Sequence, residues 1–90
     1  MFKLNAKNGS NNITGERLTE LRRQKGISQR QLARIMQLAG FDVDHHFIRR
    51  IENGERFVTD IELVALSRVL EVPISELIDD TIPIADYESE

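Results

Sequence analysis

The pattern Ser/Thr-x-x-Gln/Glu stands ahead of an apolar run twice, as Ser28-Gln29-Arg30-Gln31 and as Thr59-Asp60-Ile61-Glu62. Each is a capping box. The hydroxyl accepts the backbone N–H three residues on, and the Gln or Glu side chain accepts the N–H of the hydroxyl residue. Two such starts, with glycine stops at Gly26, Gly40 and Gly54, divide the chain into short helices. Thr14-Gly15 opens a first helix, with Leu18 and Leu21 on one face, and Gly26 closes it. The second runs from Ser28 to about Ala39, with Leu32, Ala33 and Met36 inward. Asp44 caps a third, His45 to Glu52, stopped by Asn53-Gly54. The fourth reaches from Thr59 to Glu71, with Leu63, Leu66 and Leu70 inward. Val72-Pro73 breaks it, and Ser75-Glu76-Leu77-Ile78 makes a short fifth. No segment alternates with period two, so the expected fold is all-α, five helices without a sheet.

Ninety residues permit one small domain. Its expected extent is 14–79. Residues 1–13, rich in Asn, Gly, Ser and Lys without periodicity, read as a flexible arm. Residues 80–90 read as an acidic tail, where Ile82, Ile84 and Tyr87 offer apolar docking points. Cysteine is absent, which excludes disulfides and cysteine-based zinc sites and fits a cytoplasmic setting. No apolar stretch approaches the ~20 residues that cross a bilayer, so no membrane role is expected.

The net charge of -3 conceals a polarity along the chain. Residues 1–57 hold eleven Lys and Arg against six Asp and Glu, whereas residues 58–90 hold one Arg against nine acids. A basic front suggests a polyanion, and the plain alternative is two differently solvated faces. The third helix sharpens the choice. At about 100° per residue, with Ile48 at zero, Ile51 and Asp44 fall near 300–320°. His46, Arg49, Arg50 and Asn53 fall at roughly 100–200°, on the opposite side, with His45 on the flank. One side is thus apolar and the other offers imidazoles, guanidiniums and an amide. Such a donor-rich face suits the DNA major groove, where Arg donates two bonds to guanine and His donates to the same acceptors. Arg50 is expected to read a base, and Arg49 either a base or a phosphate.

The runs GERLTELRRQKGISQRQLA, IRRIENGER and VTDIELVALSRVLEVPISELI together resemble the Cro/C1-type (XRE) helix-turn-helix family of phage repressors and bacterial regulators, over residues 13–78. That resemblance implies a compact five-helix, lambda-repressor-like domain with its third helix in the major groove of double-stranded DNA. His45, His46 and Arg50 match its base-facing positions. Ser28 and Gln29 match the phosphate-binding start of the second helix, where free amides favour anions. Asn53 and Arg56 match positions that grip the backbone. Arg22 and Glu52 match an ion pair tying the first helix to the end of the third, and Glu52, at about 40°, lies off the reading face. The family also implies a homodimer, with Ile74–Ile78 and the Ile82–Tyr87 tail as candidate surfaces, and no cofactor. One departure is about five extra residues, QLAGF, between the second and third helices. Leu38 and Phe41 are expected to pack beneath that joint, a partner contact being the alternative.

Other readings of the same residues fare less well. Adjacent His45 and His46 point about 100° apart, and helical metal sites space His at i and i+4, so no metal is expected. No nucleophile elbow or phosphate loop is present, and enzymatic activity is not expected. Phe47 reads as a half-buried packing residue rather than a thymine-methyl contact. The rivals to transcriptional repression are an adaptor using the acidic C-terminal third to hold a protein partner, and the antitoxin of a toxin–antitoxin pair.

Overall fold

The computed structural model describes residues 5–84. They form four α-helices, α1 (Gly15–Gln24), α2 (Gln29–Leu38), α3 (His45–Glu52) and α4 (Asp60–Leu70), followed by one 3₁₀ turn, Ile74–Glu76. No strand occurs among the described residues.

The helix starts are set by side chains. Ser28 Oγ accepts the Gln31 N–H at 3.0 Å, and Gln31 Oε1 accepts the Ser28 N–H at 2.7 Å. Thr59 and Glu62 repeat the exchange at 3.1 and 2.9 Å. The Asp44 carboxylate opens α3 by accepting from the amides of His46 and Phe47. Caps of this kind contribute about 1 kcal/mol each. Glu71 ends α4 in the left-handed region, φ 57°.

The apolar stripes meet in one core. Leu18 and Leu21 of α1, Leu32, Ala33 and Met36 of α2, and Phe47, Ile48 and Ile51 of α3 join Ala65, Leu66 and Leu70 of α4 and Leu77. Leu63 is partly buried at its edge. Each large aliphatic side chain withdrawn from water contributes about 1.5–3 kcal/mol. Phe47, expected half-buried, belongs to this cluster.

Three expectations meet a different arrangement. The fifth helix is only the 3₁₀ turn. Leu77 is fully buried immediately after it, and the Asp79 N–H donates to Ile13 O at 3.0 Å, which draws the chain off a helical path. Leu38 does not pack beneath the joint but is 74% exposed. It stands two residues beyond the buried Met36, about 200° around the helix. Phe41 does turn inward, its N–H bonded to Met36 O, and it packs against the core. Residues 5–13, read as part of a flexible arm, make specific contacts. Ala6 is buried, the Lys7 N–H meets Pro83 O, and Asn11 and Asn12 bond to the chain at the end of α3. Residues 1–4 and 85–90, with Tyr87, lie outside the described residues.

The start of α1 is pressed against the end of α3. A Cβ on Gly15 would stand 2.4 Å from Ile51 O and 3.1 Å from Glu52 O, both backbone atoms with little freedom to retreat. Gly15→Ala should therefore destabilise the fold by about 1–3 kcal/mol through overpacking, read as a lowered urea midpoint with an unchanged slope.

Candidate nucleic-acid interface

Helix α3 owes its orientation to its own sequence. Phe47, Ile48 and Ile51 are buried, so the other side must face solvent. His46, Arg50 and Asn53 are exposed, and His45 and Arg49 are partly so. The imidazoles of His45 and His46 lie with centroids 4.1 Å apart, tilted by 35°. Arg49 Nη2 stands 3.4 Å from His46 Nδ1. Arg50 has no side-chain partner among the described residues. Partial desolvation, reinforced by the nearby charges of Arg30 and His46, holds the His45 imidazole below its ordinary pKa. The amide of Phe47, ahead of the nearby His46, holds the Asp44 carboxyl low.

Behind this face lies a buried ion pair. Arg22 Nε donates to Glu52 Oε2 at 2.8 Å and Nη2 to Oε1 at 3.0 Å, while Nη1 donates to Ile27 O at 2.9 Å. The two side chains are 11% and 6% exposed. Gln29 Nε2 also donates to Glu52 Oε1, at 3.0 Å. Burial alone would raise the Glu52 carboxyl, but the bonds from Arg22 and then Gln29 outweigh it and hold its pKa below the ordinary glutamate range. The same pairing raises Arg22.

The structure places the remaining sequence candidates as follows. Ser28 is exposed at the start of α2 with its hydroxyl engaged in the capping box. Gln29 is partly buried and turned toward Glu52. Asn53 is the exposed C-cap of α3. Arg56 is ion-paired with Glu62 through Nη2, and its guanidinium carbon lies 4.9 Å from the centre of the Phe47 ring. A groove of about 530 Å³ runs between α3 and the following loop, lined by Asp44, His46, Phe47, Arg50, Arg56 and Phe57 among others. It brings Arg50 and Arg56 to one opening. Among the described residues no three His, Asp or Glu side chains converge as metal ligands, and no helix is long and apolar enough to cross a membrane.

Sequence reasoning passed over Arg30. It is exposed in the first turn of α2 and near enough to His45 to act on its protonation. Arg34, one turn further, is exposed as well. Their signal in the sequence is Arg-x-x-x-Arg at helical spacing, overlapping the capping box.

A family model described as a helix-turn-helix domain matches residues 14–78. The chain belongs to the helix-turn-helix domain family. Its helix-turn-helix is α2, the 39–44 connection and α3, and the resemblance to Cro/C1-type regulators holds. Among solved structures, the restriction-modification controller protein C.AhdI from Aeromonas hydrophila is similar at 32% identity and a TM-score of 0.63, over 72% of this chain and 87% of that one. The DNA-binding domain of BldD is similar at 26% identity and a TM-score of 0.62, over 78% and 94%. A hypothetical transcription factor from Neisseria, NHTF, shares the fold at 18% identity and a TM-score of 0.67, over 88% and 85%. None of the curated proteins matches this helix-turn-helix chain.

The Glu52 pair makes stability acid-sensitive in a defined direction. Its folded pKa is depressed, so its contribution is whole above the ordinary value of about 4.3 and is lost as pH falls through the lower native value. Urea unfolding between neutral pH and about pH 3 should show this loss. Arg22→Met should cost up to roughly 3–5 kcal/mol at neutral pH, and should flatten the acid dependence because the carboxyl is no longer held low.

Proposed function

We propose that this helix-turn-helix domain binds double-stranded DNA sequence-specifically, with α3 in the major groove, and acts as a transcriptional repressor in a bacterium or phage. The observation that carries this reading is the outward row of His46, Arg50 and Asn53, backed by a helix face buried in the core. That row offers hydrogen-bond donors on an exposed face and needs no rearrangement of the core to be presented. In the groove, Arg50 donates both arms to guanine O6 and N7, and His46 donates to a neighbouring acceptor. His45 and Arg49 flank them as further base contacts, with Arg49 able to turn to a phosphate. Ser28 and the first amides of α2 meet one phosphate, with Gln29 beside them. Asn53 and Arg56 meet the opposite strand's backbone.

The controller protein at 32% identity and the DNA-binding domain at 26% support regulation through DNA. One short helix supplies few base contacts, so the domain works as a homodimer on half-sites roughly 34 Å apart.

Enrichment of random duplexes by the purified protein, followed by sequencing, tests the reading. A palindromic motif is expected, with affinity falling steeply as salt rises. No enriched motif and a flat salt response would favour the adaptor. On the selected site, Arg50→Ala should weaken binding by about 1–3 kcal/mol and relax preference at one base pair. An unchanged base preference would remove Arg50 from its role.

Protonation gives a second handle. His45 starts below its ordinary pKa in the free protein, and phosphates close to the imidazole favour its charged form. DNA binding should therefore take up a proton, so affinity should rise as pH falls from about 8 to 6. Replacing His45 and His46 with Gln should abolish the rise, as measured by fluorescence anisotropy across that range.

A further inference from the structure

We propose that Asn12 is a positioning residue for the DNA-reading unit, a strap that fixes the end of α3 and the loop carrying Arg56; this rests on the DNA-binding reading above. Asn12 uses all four hydrogen-bonding positions of its amide. Oδ1 accepts the N–H groups of Thr14 and Gly15, at 3.0 and 2.8 Å. Nδ2 donates to Ile51 O at 3.1 Å and to Arg56 O at 2.8 Å. The flipped amide would set donor against donor and acceptor against acceptor, so only one orientation fits.

These partners lie at and just beyond the end of α3, where the last carbonyls lack in-helix donors, and Ile51 O is shared with the Gly54 N–H at 3.0 Å. Ile51 is in the last turn of α3, and Arg56 lies four residues past its end. Asn11 completes the strap. Its N–H donates to Gly54 O at 2.8 Å and its Nδ2 to Glu55 O at 3.0 Å. The carbonyls of residues 51, 54, 55 and 56 are thus all held by two neighbouring asparagines. The fit is close, since a Cβ on Gly54 would stand 2.4 Å from Ser10 Oγ. The loop is held besides by the Gly54 and Glu55 amides bonded back to α3 and by Val58 against the core. Its backbone path sets where Asn53 and Arg56 meet the duplex, and residues outside the 14–78 helix-turn-helix match define that path.

Asn12→Asp separates the two halves of the amide. A carboxylate still accepts from Thr14 and Gly15, which preserves the start of α1, but it cannot donate to Ile51 or Arg56. In the full chain, the Gly54 and Glu55 amides should exchange hydrogen about tenfold faster or more, while the Leu18 amide, bonded to Thr14 O at the start of α1, stays protected. Losing two hydrogen bonds of ordinary strength should weaken binding to the selected duplex about tenfold or more. The salt slope should fall by about one as the Arg56 contact is lost, with base preference retained. Asn8→Asp adds the same charge to the same segment without touching α3. If it weakens binding equally, charge accounts for the effect and the proposal fails. Should Asn12→Asp not fold, Asn11→Ala removes the side-chain bond to Glu55 O together with the one accepted from Asn5 Nδ2, and, with Asn5→Ala as its control, carries the same comparison. Unchanged exchange at Gly54 and Glu55 overturns the strap. Faster exchange with wild-type affinity and slope overturns its positioning role. A wild-type protein that binds no duplex sinks the DNA reading instead, and the exchange comparison still decides whether the strap exists.

Discussion

The Glu52 carboxylate is the point from which α3 is hung. An ionised carboxylate that is only 6% exposed carries a desolvation cost of several kcal/mol, and only a close, well-directed partner offsets it. Arg22 supplies that partner with a two-armed fork from α1, and Gln29 adds a third bond from α2. Three helices therefore converge on two oxygens. Because Glu52 is the last residue of α3, holding it fixes the rotation of that helix about its axis. With Ile48 and Ile51 buried beneath, the outward direction of His46 and Arg50 has no remaining freedom beyond their own rotamers.

The charges are sorted by task. Arg22 is buried and structural. Arg56 is half-engaged, balanced between the Glu62 carboxylate and the Phe47 ring, and Glu62 spends its other oxygen capping α4. Arg50 has no such partner among the described residues. The three arginines stand at three levels of commitment to the fold, and the exposed row on α3 contains the least committed one. Next to it, His45 is kept toward its neutral form by partial desolvation and by the positive charge of Arg30.

Much of this was legible in the residues. The two capping boxes and Asp44 placed the starts of α2, α3 and α4, and apolar periodicity placed ten of the core side chains or their edges, Leu63 among the latter. A helix of eight residues, such as α3, with one apolar side leaves little choice about the other. What escaped depended on contacts distant in sequence. Leu77 is buried, but its burial stops the fifth helix after one turn rather than extending it, because Asp79 is claimed by Ile13. Gln29 reads as a free amide at a helix start until Glu52, 23 residues away, is brought beside it. The Asn-rich segment looked featureless because its partners are backbone carbonyls, which no side-chain pattern announces. Leu38 was misjudged for a local reason: an inserted joint was assumed to bury its leucine, whereas the helix phase turns it outward.

The bond from the Lys7 N–H to Pro83 O brings the two ends of the described chain side by side. A chain trimmed to the described residues could thus be closed into a ring. A short linker across that gap, with a new opening at the exposed Leu38–Gly40 corner, would give a rearranged gene product that keeps the core while severing α2 from α3 along the chain. In such a ring the order in which helices leave the ribosome would matter less than their shared grip on one carboxylate.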